Sequence, residues 1–190
     1  TLTPFNEPAV YSKSNVHEEE KKRIYKEASR CIKDGDCIYI DSGTTAMYLM
    51  DYLYDKKITI VTTNTYLLSK ISEAFQGKIF LVGGEVSIKN GTTHGSLTNQ
   101  ILKQFYFDYA FLTANGASID RNEAYVFDFD IGDMKKEVLH RSAKTCLLID
   151  QSKFEIKALC TWARLEDFYT IYVDAYPEYK EELEKIVICR

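Results

Sequence analysis

Two spacings of apolar residues alternate along the chain. Short runs of four to seven residues rich in apolar and β-branched side chains occur at Cys37-Ile38-Tyr39-Ile40 and over 58–61, 78–82, 108–112, 145–149 and 168–174. Their length and composition predict buried strands. Between them the apolar positions return at helical spacing. Ile24, Ala28, Cys31 and Ile32 do so within 16–33, Met47, Leu49, Met50 and Leu53 within 47–53, and Leu67, Leu68, Ile71 and Phe75 within 67–75; further helices are predicted over 97–105, 132–142 and 177–185. Asp34-Gly35-Asp36 and Gly77 supply stops, and Asn90-Gly91 predicts a tight hairpin turn in an otherwise irregular stretch. Strands alternating with helices through connections this long predict βαβ units. The expected fold is therefore a three-layer α/β/α domain with a mainly parallel, Rossmann-like sheet.

Residues 1–15 break the pattern. They carry two of the three prolines and no periodicity, which predicts an extended arm leading in from an upstream domain, with the folded domain over 16–190. At 190 residues one domain with a substantial core is expected. Hydrophobic residues at 45% and charged residues at 27% fit an ordinary folded chain. The formal net charge of −4 argues against this segment holding DNA by itself, because phosphate-backbone binding needs a basic excess. Cys31, Cys37, Cys146, Cys160 and Cys189 are odd in number and scattered, with no metal-ligand spacing; buried thiols in a reducing, cytoplasmic setting are expected, with no metal and no cofactor. No apolar run approaches the roughly 18 residues of a membrane helix.

Candidate chemistry lies where the strands end. The first strand runs into Asp41-Ser42-Gly43-Thr44-Thr45, where Gly43 permits a turn and Asp41 or Ser42 could cap the next helix. Taken alone, this motif fits a capped helix start and an anion cradle equally well. Four other strands end in Thr62-Thr63-Asn64, Gly83-Gly84-Glu85, Asn115-Gly116 and Asp150-Gln151-Ser152-Lys153. In an open parallel sheet such ends share one rim, and there hydroxyls and glycine amides suit a phosphate. Asp41 and Glu85 could accept from sugar hydroxyls, and Lys135 or Lys153 could offer a compact cation. His94, between Gly91 and Gly95, is a further candidate contact. His17 and His140 read as surface helix residues, and the charge run 18–23 as a solvated face. These groups point to a phosphorylated polyol.

The ordered set Glu20-Lys21, Ile24, Ala28, Asp34-Gly35-Asp36, Asp41-Ser42-Gly43-Thr44-Thr45, Val61-Thr62-Thr63-Asn64, Gly83-Gly84, Gly95, the 108–116 stretch, Lys135 and Asp150-Gln151-Ser152-Lys153 resembles the C-terminal sensor domain of DeoR-type transcriptional repressors. The resemblance covers nearly the whole chain. It implies a fold like ribose-5-phosphate isomerase and glucosamine-6-phosphate deaminase, a phosphorylated sugar effector, and assembly into a homo-oligomer, a dimer or a tetramer. Operator DNA would be met only through a separate N-terminal helix-turn-helix domain. The effector site it implies falls on Asp41, Ser42, Gly43, Thr44, Thr45, Asn64, Gly83, Gly84, Lys135 and Lys153, to which the rim adds Glu85, His94, Asn115 and Gly116. The alternative on the same fold is a sugar-phosphate isomerase or amino-sugar-phosphate deaminase. Such chemistry needs a carboxylate base, which the isomerases of similar fold carry after the fourth strand, and Ala114-Asn115-Gly116-Ala117-Ser118 offers none before Asp120.

Overall fold

The computed structural model describes residues 17–154, 156–177 and 184–190. The expected arm over 1–15 and most of the expected closing helix lie outside the described residues. In chain order the elements are α1 (Glu18–Ser29), β1 (Cys37–Ile40), α2 (Met47–Met50), β2 (Thr59–Thr62), β3 (Lys78–Leu81), β4 (Glu85–Ser87), β5 (Thr92–His94), α3 (Ser96–Leu102), β6 (Phe107–Leu112), β7 (Gly116–Ser118), β8 (Glu123–Val126), α4 (Phe129–His140), β9 (Ser142–Leu148), β10 (Cys160–Arg164), β11 (Thr170–Val173) and β12 (Ile186–Ile188). Seven strands form one parallel sheet in the order β12-β11-β9-β6-β1-β2-β3.

Alternation within the strands builds two cores. On β1, Ile38 and Ile40 face a core that includes Ile24 and Ala28 of α1 and Leu49 and Met50 of α2. Tyr39, between them, faces the other core with Met134 and Val138 of α4 and Trp162. That second side also carries an antiparallel sheet, β10-β8-β7. The expected α/β architecture is thus present, with a small sheet that periodicity did not reveal. A one-residue slip of β1 would drive Tyr39 into the core of α1 and α2 and send Ile38 and Ile40 to the other face, so the difference in side-chain shape between the two cores favours the observed pairing.

The connections explain where a ligand can sit. The chain builds outward through β1, β2 and β3, returns to place β6 on the open side of β1, and then builds outward the other way through β9, β11 and β12. The loops leaving β1 and β6 therefore diverge, and a crevice opens at their carboxyl ends.

Three expectations need correction. The helix over 67–75 is a single 3-10 turn, Leu67–Lys70, after which Ile71 is extended; Leu68 is 49% exposed, so its apolar pattern is not matched by burial. The helix after β1 is only Met47–Met50, and neither Asp41 nor Ser42 caps it: Ala46 holds the N-cap position without a side-chain bond. Asn90-Gly91 closes the β4–β5 hairpin, with Gly91 at φ 59, but at the end of a four-residue connection instead of a two-residue turn. No helix among the described residues is long and apolar enough to cross a membrane.

Candidate functional site

A cleft of about 120 Å³ occupies the crevice between β1 and β6. Ser42, Gly43, Thr44 and Thr45 from the loop after β1 face Thr113, Ala114 and Asn115 from the loop after β6. Leu148, Ile149, Asp150 and Lys153 close it from the end of β9, and Asp128 from the N-cap of α4 with Ile131 and Lys135 from the helix itself. Lys21, Ile24 and Tyr25 of α1 form a further wall, and Asn90 reaches in from the hairpin turn.

The floor is a locked polar cluster. Asp41, fully buried, directs Oδ1 to the Ser42 N–H at 2.8 Å and Oδ2 to the N–H and hydroxyl of Thr113 at 2.7 and 2.8 Å. Lys135 Nζ bonds the same Oδ2 and donates to the Thr113 carbonyl at 2.9 Å, while lying 5.5 Å from the centre of the Trp162 ring. The Asp41 carboxylate thus ties the ends of β1 and β6 together, and Lys135 neutralises it. Asn64 braces the loop from below: its Nδ2 donates to the carbonyls of Asp41 at 3.1 Å and Gly43 at 2.8 Å, and its Oδ1 accepts from the Tyr66 N–H at 3.0 Å.

Above this floor the Ser42–Thr45 loop supplies the receptive groups. Gly43 adopts φ 103, a conformation that L side chains resist, and nothing lies within 4 Å of where its Cβ would be. Among the described residues, the amides of Gly43, Thr44 and Thr45 donate to no protein acceptor. Successive amides and hydroxyls of this kind form a concavity that suits an anion. Thr44 is only 7% exposed to solvent although it lines the cleft, whereas Lys153 is half-buried.

The lining acids are already engaged. Asp128 caps α4, accepting from the N–H groups of Asp130 at 2.9 Å and Ile131 at 3.1 Å. Asp150 accepts from the Ser152 N–H at 3.0 Å and from its hydroxyl. Tyr25 is 2% exposed, and its hydroxyl has no hydrogen-bond partner. Burial first, then the carboxylates of Asp41 and Asp150, push its pKa far up, so it stays a neutral phenol.

Of the residues singled out in the sequence, Ser42, Gly43, Thr44, Thr45, Asn115, Lys135 and Lys153 meet at this cleft. Asp41 and Asn64 lie beneath it, wholly buried, and act as its supports; the sugar-hydroxyl role read for Asp41 does not fit a carboxylate consumed by Lys135, Thr113 and Ser42. Lys135 is likewise committed to the floor, unlike the exposed Lys136, which pairs with Asp133. Gly83, Gly84 and Glu85 follow β3, two strands from the crevice, and pack or point elsewhere: Thr98 Oγ1 donates to the Gly83 carbonyl at 2.9 Å, and Glu85 is exposed on the hairpin. His94 lies away from the cleft, its Nδ1 3.8 Å from Asp130 Oδ2, and Gly116 sits on β7 where an added Cβ would strike the Ile156 carbonyl. Sequence reading missed the α1 wall, Asn90, Thr113 and Asp128; the only signal for α1 was the repeat of Lys21, Ile24, Tyr25 and Ala28 on one helical face.

Over residues 16–175 the sequence matches the family profile described as the DeoR C-terminal sensor domain. It is 28% identical over 169 residues to the HTH-type transcriptional regulator FruR of Bacillus subtilis, covering 89% of this chain and 67% of that protein. It is 28% identical over 160 residues to the glycerol-3-phosphate regulon repressor of Escherichia coli, covering 84% of this chain and 63% of that protein. The chain thus spans about two thirds of the length of these curated relatives. Ribose 5-phosphate isomerase A of Methanocaldococcus jannaschii superposes with a TM-score of 0.52 at 17% identity, over 73% of this chain and 55% of that one, a likeness of fold.

Proposed function

The chain belongs to the DeoR C-terminal sensor domain family, and from that premise we propose that its cleft binds a small phosphorylated polyol whose presence controls operator binding by a helix-turn-helix region of the whole regulator. The observation that carries this reading is the Ser42–Thr45 loop at the sheet's switch point, with unengaged amides, hydroxyls and the nearby Lys153 ammonium. A cavity of about 120 Å³ favours a molecule of a few carbons over a nucleotide or a drug-sized ligand, which occupy roughly 300–1,000 Å³. One relative is named as the repressor of a glycerol-3-phosphate regulon, which is the same chemical class. For control, the ligand must bind one arrangement of the regulator better than the other; a coupling of about 1–3 kcal/mol changes operator affinity roughly 5- to 150-fold.

We read the site as a sensor and not as an enzyme. Proton transfer on a sugar phosphate needs a carboxylate base at the reacting carbon. Asp41 is consumed through both oxygens by an ammonium, amides and a hydroxyl, Asp128 and Asp150 each hold local donors through Oδ1, and Asn115 cannot take a proton at neutral pH. The relatives, moreover, are transcriptional regulators.

Self-association belongs to the same proposal. The open edge of the sheet at β3 presents Phe80 and Leu81, 46% and 40% exposed, next to the hairpin that carries Val86 and Ile88 at 56% and 84%. An unpaired edge with apolar flanks favours a second copy.

A thermal-shift panel of glycerol 3-phosphate, ribose 5-phosphate, fructose 1-phosphate and fructose 6-phosphate, each beside its dephosphorylated form, tests the ligand class. At 100 times its Kd a ligand adds about 2.7 kcal/mol, roughly 5–10 °C in Tm at this length. A shift with at least one phosphorylated member and none with its dephosphorylated form is expected. No shift across the panel, or equal shifts from the dephosphorylated forms, overturns the reading.

A further inference from the structure

The α1 wall of the cleft carries a buried side-chain donor that the protein leaves unused. Tyr25 is almost wholly buried, lines the cleft from α1, and has a hydroxyl with no hydrogen-bond partner. Phenylalanine would fill the same space without stranding a polar group, so packing alone does not account for the hydroxyl. It comes from a different element than the Ser42–Thr45 loop: the loop follows β1, whereas Tyr25 belongs to the helix that precedes β1. Its neighbours on that helical face, Lys21 and Ile24, line the same wall.

We propose that Tyr25 is a specificity-determining residue that donates a hydrogen bond to a hydroxyl or carbonyl oxygen in the carbon skeleton of the ligand, and that this bond joins α1 to the occupied cleft. The inference rests on the proposed phosphorylated-polyol reading and extends it. The phosphate is held by the loop after β1; the polyol is read by the helix. A ligand consisting of phosphate alone engages only the first of these. An acceptor oxygen at Tyr25 is what distinguishes a polyol phosphate from an alkyl phosphate of equal size, because the stranded phenol is satisfied only by the former. The helix then loses freedom when the ligand binds, and residues joined to its N-terminal end sense the occupancy.

The test compares the chain with Tyr25→Phe, which keeps the ring and removes the donor. Its melting temperature without ligand is expected to be equal or higher, since a buried unpaired group has been removed. Calorimetric titration uses two probes: the member of the panel above with the largest shift, and inorganic phosphate. Affinity for the polyol phosphate is expected to fall about 3- to 10-fold in Tyr25→Phe, the effect of one hydrogen bond, while affinity for inorganic phosphate is unchanged. Hydrogen exchange at saturating polyol phosphate adds a readout that packing does not move: ligand-induced protection over α1 appears in the parent chain and is reduced in Tyr25→Phe. Equal polyol-phosphate affinity in the two proteins, or equal protection of α1, overturns the role of Tyr25 and leaves the sensor reading standing. If the parent chain binds no member of the panel, the sensor reading fails and this inference with it.

Discussion

Lys135→Met separates a structural lysine from one that serves the ligand. In the folded chain the Lys135 and Asp41 side chains are 4% and 0% exposed and paired with each other. Removing the ammonium leaves a buried carboxylate, which ordinarily costs about 3–5 kcal/mol. Here Asp41 keeps three other donors, the Ser42 N–H and the Thr113 N–H and hydroxyl, so the lower end of that range applies, about 3 kcal/mol. Methionine retains the volume of the stem and limits any cavity contribution. At this length the loss corresponds to a fall in Tm of roughly 6–12 °C. The assay is urea unfolding followed by the fluorescence of Trp162, the only tryptophan in the chain, whose ring centre lies 5.5 Å from Lys135 Nζ. Pairing Lys135→Met with Asp41→Asn closes a double-mutant cycle, and the double variant is expected to lose less than the sum of the single losses by about 1–3 kcal/mol. A loss below about 1 kcal/mol for Lys135→Met, or strict additivity in the cycle, would refute the locked floor and return Lys135 to the ligand.

Three shorter tests follow from the same geometry. Gly43→Ala meets no steric obstacle but must hold φ near 103, so a loss of about 1–2 kcal/mol with a weakened ligand response is expected by thermal melting and titration; an unchanged Tm would show that the loop rearranges freely. Burial raises the Cys31 thiol to about 11 and the Cys189 thiol to about 12, so between pH 9 and 11 the unfolded chain releases protons that the folded chain retains, and stability falls as pH rises. Urea midpoints at pH 8 and pH 10.5 check this, and equal midpoints would contradict it. Ile88→Asp with Val86→Asp places charge on the hairpin beside the open β3 edge and is expected to lower the mass seen by light scattering without lowering Tm, whereas an unchanged mass would locate self-association elsewhere.

Local chemistry was legible in the sequence; long-range placement was less so. β1 was read to the residue because four apolar side chains stand between Asp36 and Asp41, and both faces of that strand are buried. The Ser42–Thr45 motif fits a helix cap and an anion cradle equally well in the sequence, and the structure removes the cap, since Ala46 holds the N-cap position of α2. β7, with the sequence Gly-Ala-Ser, carries no periodic signal at all and exists only because β8 pairs with it. Asn64 shows a subtler limit. Its type and its place after β2 point to the rim, yet its amide is used to brace the loop beneath the cleft, a distinction that depends on which carbonyls lie within 3.1 Å. Gly83 to Glu85 failed for a topological reason: a rim shared by every strand end is wide, and the cleft opens only where the chain reverses direction across the sheet. The α1 wall is the counterpart, since no feature local to Lys21 or Tyr25 announces a partner at the far end of β9.

The most direct measurement is a calorimetric titration of the chain with the best phosphorylated polyol of the panel and with its dephosphorylated form, repeated on Thr44→Val and Lys153→Ala. Saturable binding of the phosphorylated form only, weakened in both variants while their melting temperatures hold, is expected of an anion-receptive cleft at the β1–β6 crevice. Binding that ignores the phosphate, or that survives both substitutions at full strength, would contradict it.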